Sequence, residues 1–213
     1  MMRQWRKIGI VGGLGPVASA HFYQRLAQLT AGSSDSDHPE VILLSSPSIP
    51  NRMKHRAGLG PSPVPALREV CRRLEAAGAE LLALPSVTTN HYYDELAEHA
   101  RVPIIHIRDS LRARRSQLPS RLGIMATDAA LSDGLLQREL VSAVTPPAPL
   151  QAKVQLMVEH SKAGLQPAAA QLFSEIAGSE WAATVDGVLV GCTDISPLNS
   201  SAGGPFNDIA DIY

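Results

Sequence analysis

The sequence contains only two cysteines, no long apolar run and no excess of charge of either sign. Its 213 residues carry 19 basic and 20 acidic side chains, a formal net charge of -1. Because no basic tract is available to bind a phosphate backbone, the sequence does not favour a nucleic-acid partner. No stretch approaches the roughly 18 apolar residues of a membrane-spanning helix. The apolar run after the basic residues 1–7 is only about five residues long, which indicates a strand rather than a signal peptide. We therefore expect a cytoplasmic protein.

The two cysteines, Cys71 and Cys192, form no CxxC pair, and the sequence does not favour a disulfide between them. Cys71 shares a helical face with Leu67 and Leu74, which predicts that it packs in the core. Cys192 directly follows the apolar run 188–190, so its thiol should emerge where a strand ends. Backbone amides at such a position are expected to lower the thiol pKa, and the thiolate could then act as a base or nucleophile.

Hydrophobic residues make up 45% of the chain and charged residues 18%, which is typical of a folded globular protein. Apolar runs bounded by Gly, Pro or Ser alternate with helical patterns. This alternation predicts an α/β fold with parallel sheets covered by helices. The predicted strands are 8–11, 41–44, 81–84, 122–125 and 185–190. The predicted helices are 17–30, 66–77, 92–100, 131–144 and 152–163.

Two pairs of segments look alike across the chain, 8–11 with 122–125 and 81–86 with 187–192. Their similar offsets indicate two similar α/β half-domains, 1–108 and 109–213, that are related by a pseudo-twofold axis. A C-terminal helical segment could return to the first half. Ser86 and Cys192 would then occupy equivalent strand ends and face one shared cleft. The carboxyl ends of parallel strands are where ligands bind in α/β sheets.

A glycine-rich turn at 13–18 formally fits the dinucleotide-binding fingerprint G-x-G-x-x-G/A. The acidic residue that would hold the ribose is missing after strand 41–44, since Asp35 and Asp37 lie before that strand. Two interpretations stay open for Gly13. It is either part of a helix N-terminus that offers backbone N–H groups to an anion, with Pro16 in the first turn, or part of a tight turn with no ligand.

The segment 85–91 places several hydroxyl groups after a buried strand. A purely structural turn needs only one or two such groups, so the pattern favours a ligand-binding loop. The alternative is that Thr89 or Asn90 caps the following helix. His91 next to this loop could activate Ser86 if the imidazole lay within reach. The seven histidines form no HExxH motif or comparable set of metal ligands, so we expect no metal site.

Several motifs together resemble the aspartate/glutamate racemase family along nearly the whole chain. They lie at 12–16 (Gly-Gly-Leu-Gly-Pro), 38–39, 49–52 (Ile-Pro-Asn-Arg), 76–79, 126–127, 162–164 and 191–193 (Gly-Cys-Thr). The resemblance implies two similar α/β domains with the substrate between them, a homodimer, and a terminal helix beyond the position of residue 213.

The resemblance also implies a two-base mechanism without pyridoxal phosphate, another cofactor or a metal. In this mechanism one cysteine takes the α-proton of an amino acid or similar small carboxylate, and a second returns a proton to the opposite face. Arg52 and Lys162 match basic residues that neutralise substrate carboxylates. The implied substrate-binding set is completed by the turn glycine and the site hydroxyls, namely Gly13, Thr88, Thr127 and Thr193.

The chain departs from the family pattern at the first thiol. Where the family has Pro-Cys-Asn-Thr-Ala-His, segment 85–90 reads Pro-Ser-Val-Thr-Thr-Asn, so Ser86 replaces the first catalytic cysteine. A serine hydroxyl is a far poorer base than a thiol. Asp128-Ala129-Ala130 replaces the Gly-Thr that usually follows the threonine of the second half, and Asp194 replaces a Glu. Both departures also call an acidic substrate into question.

Three functions are compatible with these departures. The first is an amino-acid racemase or epimerase in which Cys192 works on one face and Ser86, directly or through water, on the other. The second is a decarboxylase of the arylmalonate type, which uses one thiol to protonate a carbanion. The third is a non-catalytic carboxylate-binding protein.

Overall fold

A computed structural model describes residues 5–30, 32–140, 142–204 and 206–213. The chain divides into two compact units, Met1–His106 and Ile107–Tyr213. The sequence-based boundary lies after residue 108. Within the described residues, no helix is long and apolar enough to cross a membrane.

The first unit is built on a parallel sheet with the strand order β2-β1-β3-β4. Residue Ile8 at the start of β1 pairs with Val41 of β2 on one side and with Leu81 of β3 on the other. The carboxyl ends of these strands therefore lie along one edge of the sheet. The strands are β1 (Ile8–Gly12), β2 (Val41–Ser45), β3 (Leu81–Ala83) and β4 (Ile104–Ile105).

Helix α3 supplies much of the core of the first unit. Its buried residues Leu67, Val70, Cys71 and Leu74 recur at helical spacing and pack in one cluster with Leu82 of β3. The helices of this unit are α1 (Pro16–Leu29), α2 (Arg52–Arg56), α3 (Val64–Ala76) and α4 (Tyr93–Ala97), with 3-10 helices at Asp35–Asp37 and Val87–Tyr92.

The second unit contains a parallel sheet in the order β5-β6-β7, formed by β5 (Leu122–Met125), β6 (Gly187–Val190) and β7 (Asn207–Asp208). In the first unit β1 pairs in parallel with β3, and in the second β5 pairs in parallel with β6. The helices are α5 (Ile107–Arg114), α6 (Asp128–Ser132), α7 (Leu135–Glu139), α8 (Ala148–Lys162), α9 (Gln166–Ala177), α10 (Glu180–Ala183), α11 (Ser196–Ser201) and α12 (Ile209–Ile212), with a 3-10 helix at Arg115–Gln117.

A buried carboxylate ties the end of the second unit together. Asp208 of β7 accepts hydrogen bonds from Ser196 Oγ at 2.6 Å, Asn199 Nδ2 at 3.1 Å and the backbone N–H of Ala210 at 2.9 Å. Burial nevertheless raises the pKa of Asp208, because loss of water opposes the charged form more strongly than these donors favour it. This network fixes α11 and α12 to the sheet.

The predicted α/β class with parallel sheets is confirmed, and each of the five predicted strands overlaps an observed one. The predicted helix 131–144 is wrong. Gly134 has φ 65°, which ends α6 and starts α7. Val144 forms a parallel bridge with Gly123 of the second sheet instead.

Candidate active site

The thiol of Cys192 lies at the carboxyl edge of the second sheet. The β5–β6 ladder ends at the pair Met125–Val190, and the N–H of Gly191 donates to the Met125 carbonyl at 2.9 Å. Cys192 and Thr127 each follow two residues beyond this pair. Because neighbouring strands are about 5 Å apart, this register puts the two side chains at the same level of the edge.

The protein environment of Cys192 does not activate the thiol as the sequence predicts. Only 9% of the residue is exposed, and its Sγ donates to Asp194 Oδ2 at 3.9 Å. Burial and the Asp194 charge raise the pKa of Cys192 to about 12, which outweighs the backbone N–H groups of Asp194 and Ile195 and the charge of Lys162. The expectation of a lowered pKa is therefore wrong, because this environment favours the protonated thiol of Cys192.

Lys162 is the basic residue of this cluster. Its Nζ lies 3.2 Å from Asp194 Oδ2, the same oxygen that faces Cys192, and about half of the lysine side chain is exposed. The neighbouring Ser161 donates from Oγ to the Asp194 carbonyl at 2.9 Å. These contacts attach the last turn of α8 to the end of β6. They place a cation, a carboxylate and a thiol in one row.

The hydroxyl residues beside this row have different surroundings. Thr127 is buried and caps α6, because its Oγ1 accepts from the N–H of Ala130 at 3.2 Å. Thr193 is also buried. Asp128 is exposed, and its Oδ1 accepts from Gln151 Nε2 at 2.7 Å. The same nitrogen donates to the Ala126 carbonyl at 3.0 Å, so Gln151 holds Asp128 at the strand end.

In the first unit, Ser86 lies at the corresponding position after β3. The residue is buried, and its Oγ lies 3.2 Å from Thr88 Oγ1. Thr89 and Asn90 lie inside the 3-10 helix, where Asn90 Nδ2 donates to the carbonyls of Leu84 and Ser86. The alternative that Thr89 or Asn90 caps the next helix is therefore wrong.

Arg52 opens α2, whose first turn is capped by Asn51 Oδ1. Tyr92 connects this helix to the Ser86 loop, because its hydroxyl donates to the Arg52 carbonyl at 3.4 Å and lies 2.9 Å from His55 Nδ1. His91 is exposed and stacks edge-on against Tyr92 with ring centroids 5.1 Å apart. Among the described residues, the hydroxyl of Ser86 contacts Thr88 rather than this imidazole.

Gly13 has φ 90° and lies against the loop after β2. A Cβ atom there would come within 2.4 Å of the backbone nitrogen of Ser46. The N–H of Gly13 donates to Ser19 Oγ at 3.0 Å, so this donor is engaged inside the first unit. Close backbone approach accounts for the glycine. A role in substrate binding stays a prediction.

Cys71 provides a contrast to Cys192. It is buried in the α3 cluster, as predicted, and burial raises its pKa to about 11. Asp194 stands out in the sequence as a departure from the family pattern two residues after the thiol, although its contact with the thiol is not predictable there. Gln151 lies on a helix 41 positions before Cys192 and carries no local signal. In the described part of the chain, no cluster of three or more His, Cys, Asp or Glu side chains could hold a metal ion.

Comparison with known proteins gives consistent matches. The broad specificity amino-acid racemase RacX of Bacillus subtilis is 23% identical over 145 residues, which cover 62% of this chain and only 60% of the length of that racemase. The aspartate racemase of Picrophilus torridus superposes with a TM-score of 0.84 at 22% identity, covering 97% of this chain and 90% of the other. An aspartate racemase homologue from Pyrococcus horikoshii gives 0.71 at 18% identity, covering 98% and 95%.

These structural similarities establish the α/β fold with parallel sheets that the residue patterns predict. The model of one sequence family, described as Asp/Glu/Hydantoin racemase, matches residues 11–207. This match includes both strand-end segments, the one around Ser86 and the one around Cys192. The chain therefore belongs to the Asp/Glu/Hydantoin racemase family.

Proposed function

We propose that the protein is an amino-acid racemase or epimerase that moves the α-proton without a cofactor, with Cys192 as its principal acid and base. The observation that carries this proposal is the strand-end row of Cys192, Asp194 and Lys162, with 3.9 Å from thiol to carboxylate and 3.2 Å from carboxylate to ammonium. Its context is a chain that belongs to a racemase family.

The proposed reaction exchanges one proton on each face of the substrate α-carbon. In one direction the Cys192 thiolate takes the α-proton, and the opposite face receives a proton from Ser86 or from a water bound to it. In the other direction the deprotonated Ser86, or hydroxide formed from the water bound to it, takes the α-proton from the opposite face, and the Cys192 thiol gives its proton to the carbanion. The bond broken and the bond formed are both C–H bonds, so only the configuration changes.

Ser86 makes the two faces unequal. Its hydroxyl, which pairs with Thr88 Oγ1 at 3.2 Å, is a much weaker base than a thiol. Exchange at the face served by Cys192 should therefore be faster than inversion. Substitution of Ser86 by Cys restores the family residue and should speed inversion.

Substrate binding is proposed for Arg52 and Lys162, which would neutralise carboxylate charge, and for the hydroxyls of Thr88, Thr127 and Thr193. Pairing of the substrate carboxylate with a cation also makes the α-proton easier to remove, because less negative charge opposes carbanion formation. A homodimer in the cytoplasm belongs to the same proposal and rests on the family resemblance alone.

The test is proton NMR of D- and L-amino acids in heavy water, starting with aspartate and glutamate and extending to neutral and basic ones. We expect loss of the α-proton signal with the unaltered protein and none with Cys192→Ala. The control is Cys71→Ala, which removes the other buried thiol and should retain exchange. Exchange that survives Cys192→Ala, or its absence with every amino acid, would overturn the racemase proposal.

A single-thiol decarboxylase is the second candidate, favoured by one observation. A thiol with its pKa raised to about 12 keeps its proton until a carbanion forms, which suits protonation after carbon dioxide leaves. Release of carbon dioxide from a substituted malonate by the unaltered protein, lost in Cys192→Ala, would support this candidate. Binding of carboxylates with neither exchange nor decarboxylation would indicate a non-catalytic protein.

A further inference from the structure

The charged groups at the carboxyl edge of the second sheet do not match an acidic substrate. Of the carboxylates at this edge, Asp208 at the end of β7 is buried among its own hydrogen-bond donors, whereas Asp194 follows β6 and Asp128 follows β5. Lys162 is already 3.2 Å from Asp194. Asp128 is exposed, and its carboxylate accepts a hydrogen bond from the neutral amide of Gln151 at 2.7 Å. A substrate with a second carboxylate would meet an uncompensated negative charge here.

Gln151 orients the Asp128 carboxylate but does not neutralise its charge. Both protons of its Nε2 are used, one on Asp128 Oδ1 and one on the Ala126 carbonyl at 3.0 Å. The backbone N–H of Asp128 also faces Gln155 Oε1 at 3.5 Å. Two side chains of α8 thus hold the residue at the strand end, while its second carboxylate oxygen is open to a ligand.

The distance to the thiol suits the reach of a side chain. Thr127 and Cys192 each follow the last pair of the β5–β6 ladder by two residues, and the Gly191 N–H still donates to the Met125 carbonyl, so their Cα atoms should lie roughly 5 Å apart. Asp128 is the next residue, so its Cα lies within about 9 Å of that of Cys192. A substrate whose α-carbon is next to the thiol could reach Asp128 with a long side chain, such as the four-carbon stem of lysine.

We propose that Asp128 is a specificity-determining residue that selects amino acids with a cationic side-chain group over acidic ones. This inference rests on the proposed function, because it concerns the same site. A cationic side chain would pair with the open oxygen of Asp128 by a charge-assisted hydrogen bond, whereas glutamate would be repelled.

The test compares binding and exchange of L-lysine, L-norleucine and L-glutamate in four proteins: unaltered, Asp128→Asn, Asp128→Lys and Glu180→Gln. Asparagine keeps an oxygen for Gln151 and removes only the charge. Glu180 is the matched control, since it is the exposed first residue of α10 after the cap Ser179, as Asp128 is the first of α6 after Thr127. Calorimetry measures binding, and α-proton loss in heavy water measures exchange.

We expect Asp128→Asn to weaken lysine binding about fivefold, since water screens an ion pair at an exposed carboxylate, and to leave norleucine within a factor of about two. Asp128→Lys should reverse the preference toward glutamate, a gain that misfolding cannot produce. Glu180→Gln should match the unaltered protein.

The two proposals fail in different ways. Tighter binding of glutamate than lysine by the unaltered protein, or a lysine preference that survives Asp128→Asn, would overturn the role of Asp128. Exchange of any amino acid would still support the racemase. Conversely, a lysine preference that depends on Asp128 without any exchange would support the specificity and overturn the racemase.

Discussion

The reactivity of Cys192 toward an alkylating reagent should keep rising at pH values where an ordinary thiol is already ionised. Only the thiolate reacts, and a pKa of about 12 leaves about one molecule in 100,000 in that form at pH 7. An ordinary cysteine with a pKa near 8.5 has a few per cent. The alkylation rate should therefore rise about tenfold with each pH unit from 7 to 10, without a plateau.

Substitution of Asp194 by Asn tests the cause of this raised pKa. The carboxylate lies 3.9 Å from Sγ, and a charge at that distance contributes about 4 kcal/mol at an effective dielectric constant of 20. In this variant the ammonium of Lys162 would no longer be paired with a carboxylate, so its charge would stabilise the thiolate and lower the thiol pKa further. Even if relaxation and water remove half of this, Asp194→Asn should increase the rate at pH 8 at least tenfold.

The assay is alkylation by iodoacetamide over pH 7–10, followed by mass spectrometry of the peptides that contain each cysteine. Cys71 is an internal control, because its pKa of about 11 is raised by burial and Glu75, not by Asp194. Lys162→Met should slow Cys192 further. The increase of the alkylation rate with pH reports the thiol pKa even if burial lowers the absolute rate. A plateau below pH 10, or an unchanged rate in Asp194→Asn, would refute this account.

Two further predictions concern stability. Gly13→Ala should lower the free energy of unfolding by about 1–3 kcal/mol more than Gly58→Ala in urea denaturation, since both glycines have positive φ but only the first Cβ would meet backbone, at Ser46; equal losses would contradict the close contact. Because the pKa of Asp208 is raised in the folded protein, protonation of this carboxyl stabilises the folded state. This stabilisation is fully present below about pH 3.8, the ordinary pKa of an aspartate, and is lost as the pH rises through the folded-state pKa. Asp208→Asn should therefore lose less stability, relative to the unaltered protein, at pH 8 than at pH 4, and the reverse trend would exclude this assignment.

The fold could be predicted to the extent that single segments carry their own signal. A parallel strand buried on both faces is a continuous apolar run, so β1, β3, β5 and β6 could be predicted; the edge strand β2 is partly exposed but is also an apolar run. β4 and β7 have two residues each, too few for any pattern. The helix α9 was missed although Ala169, Phe173 and Ile176 form a buried face at helical spacing.

In the candidate site, too, only the features with a local sequence signal could be predicted. The strand-end position of Cys192 follows from the apolar run before it, a local feature. The raised pKa of its thiol does not, because it depends on burial and on the orientation of the Asp194 carboxylate. The contact of Lys162 with Asp194 joins residues 32 positions apart through the packing of α8 on β6, which no local pattern encodes.

Ser86 and Cys192 point to the same chemical starting state. A serine hydroxyl and a thiol with a pKa of about 12 both hold their protons near neutral pH, so neither side chain is a ready base. Abstraction of an α-proton first requires thiolate formation at Cys192. The Asp194 carboxylate 3.9 Å from the thiol opposes that step, whereas the charge of Lys162 favours it. The Ser86 hydroxyl lies beside a neutral hydroxyl, that of Thr88, and not beside a cation among the described contacts. Proton abstraction should therefore begin at Cys192, and Ser86 should serve mainly as a donor.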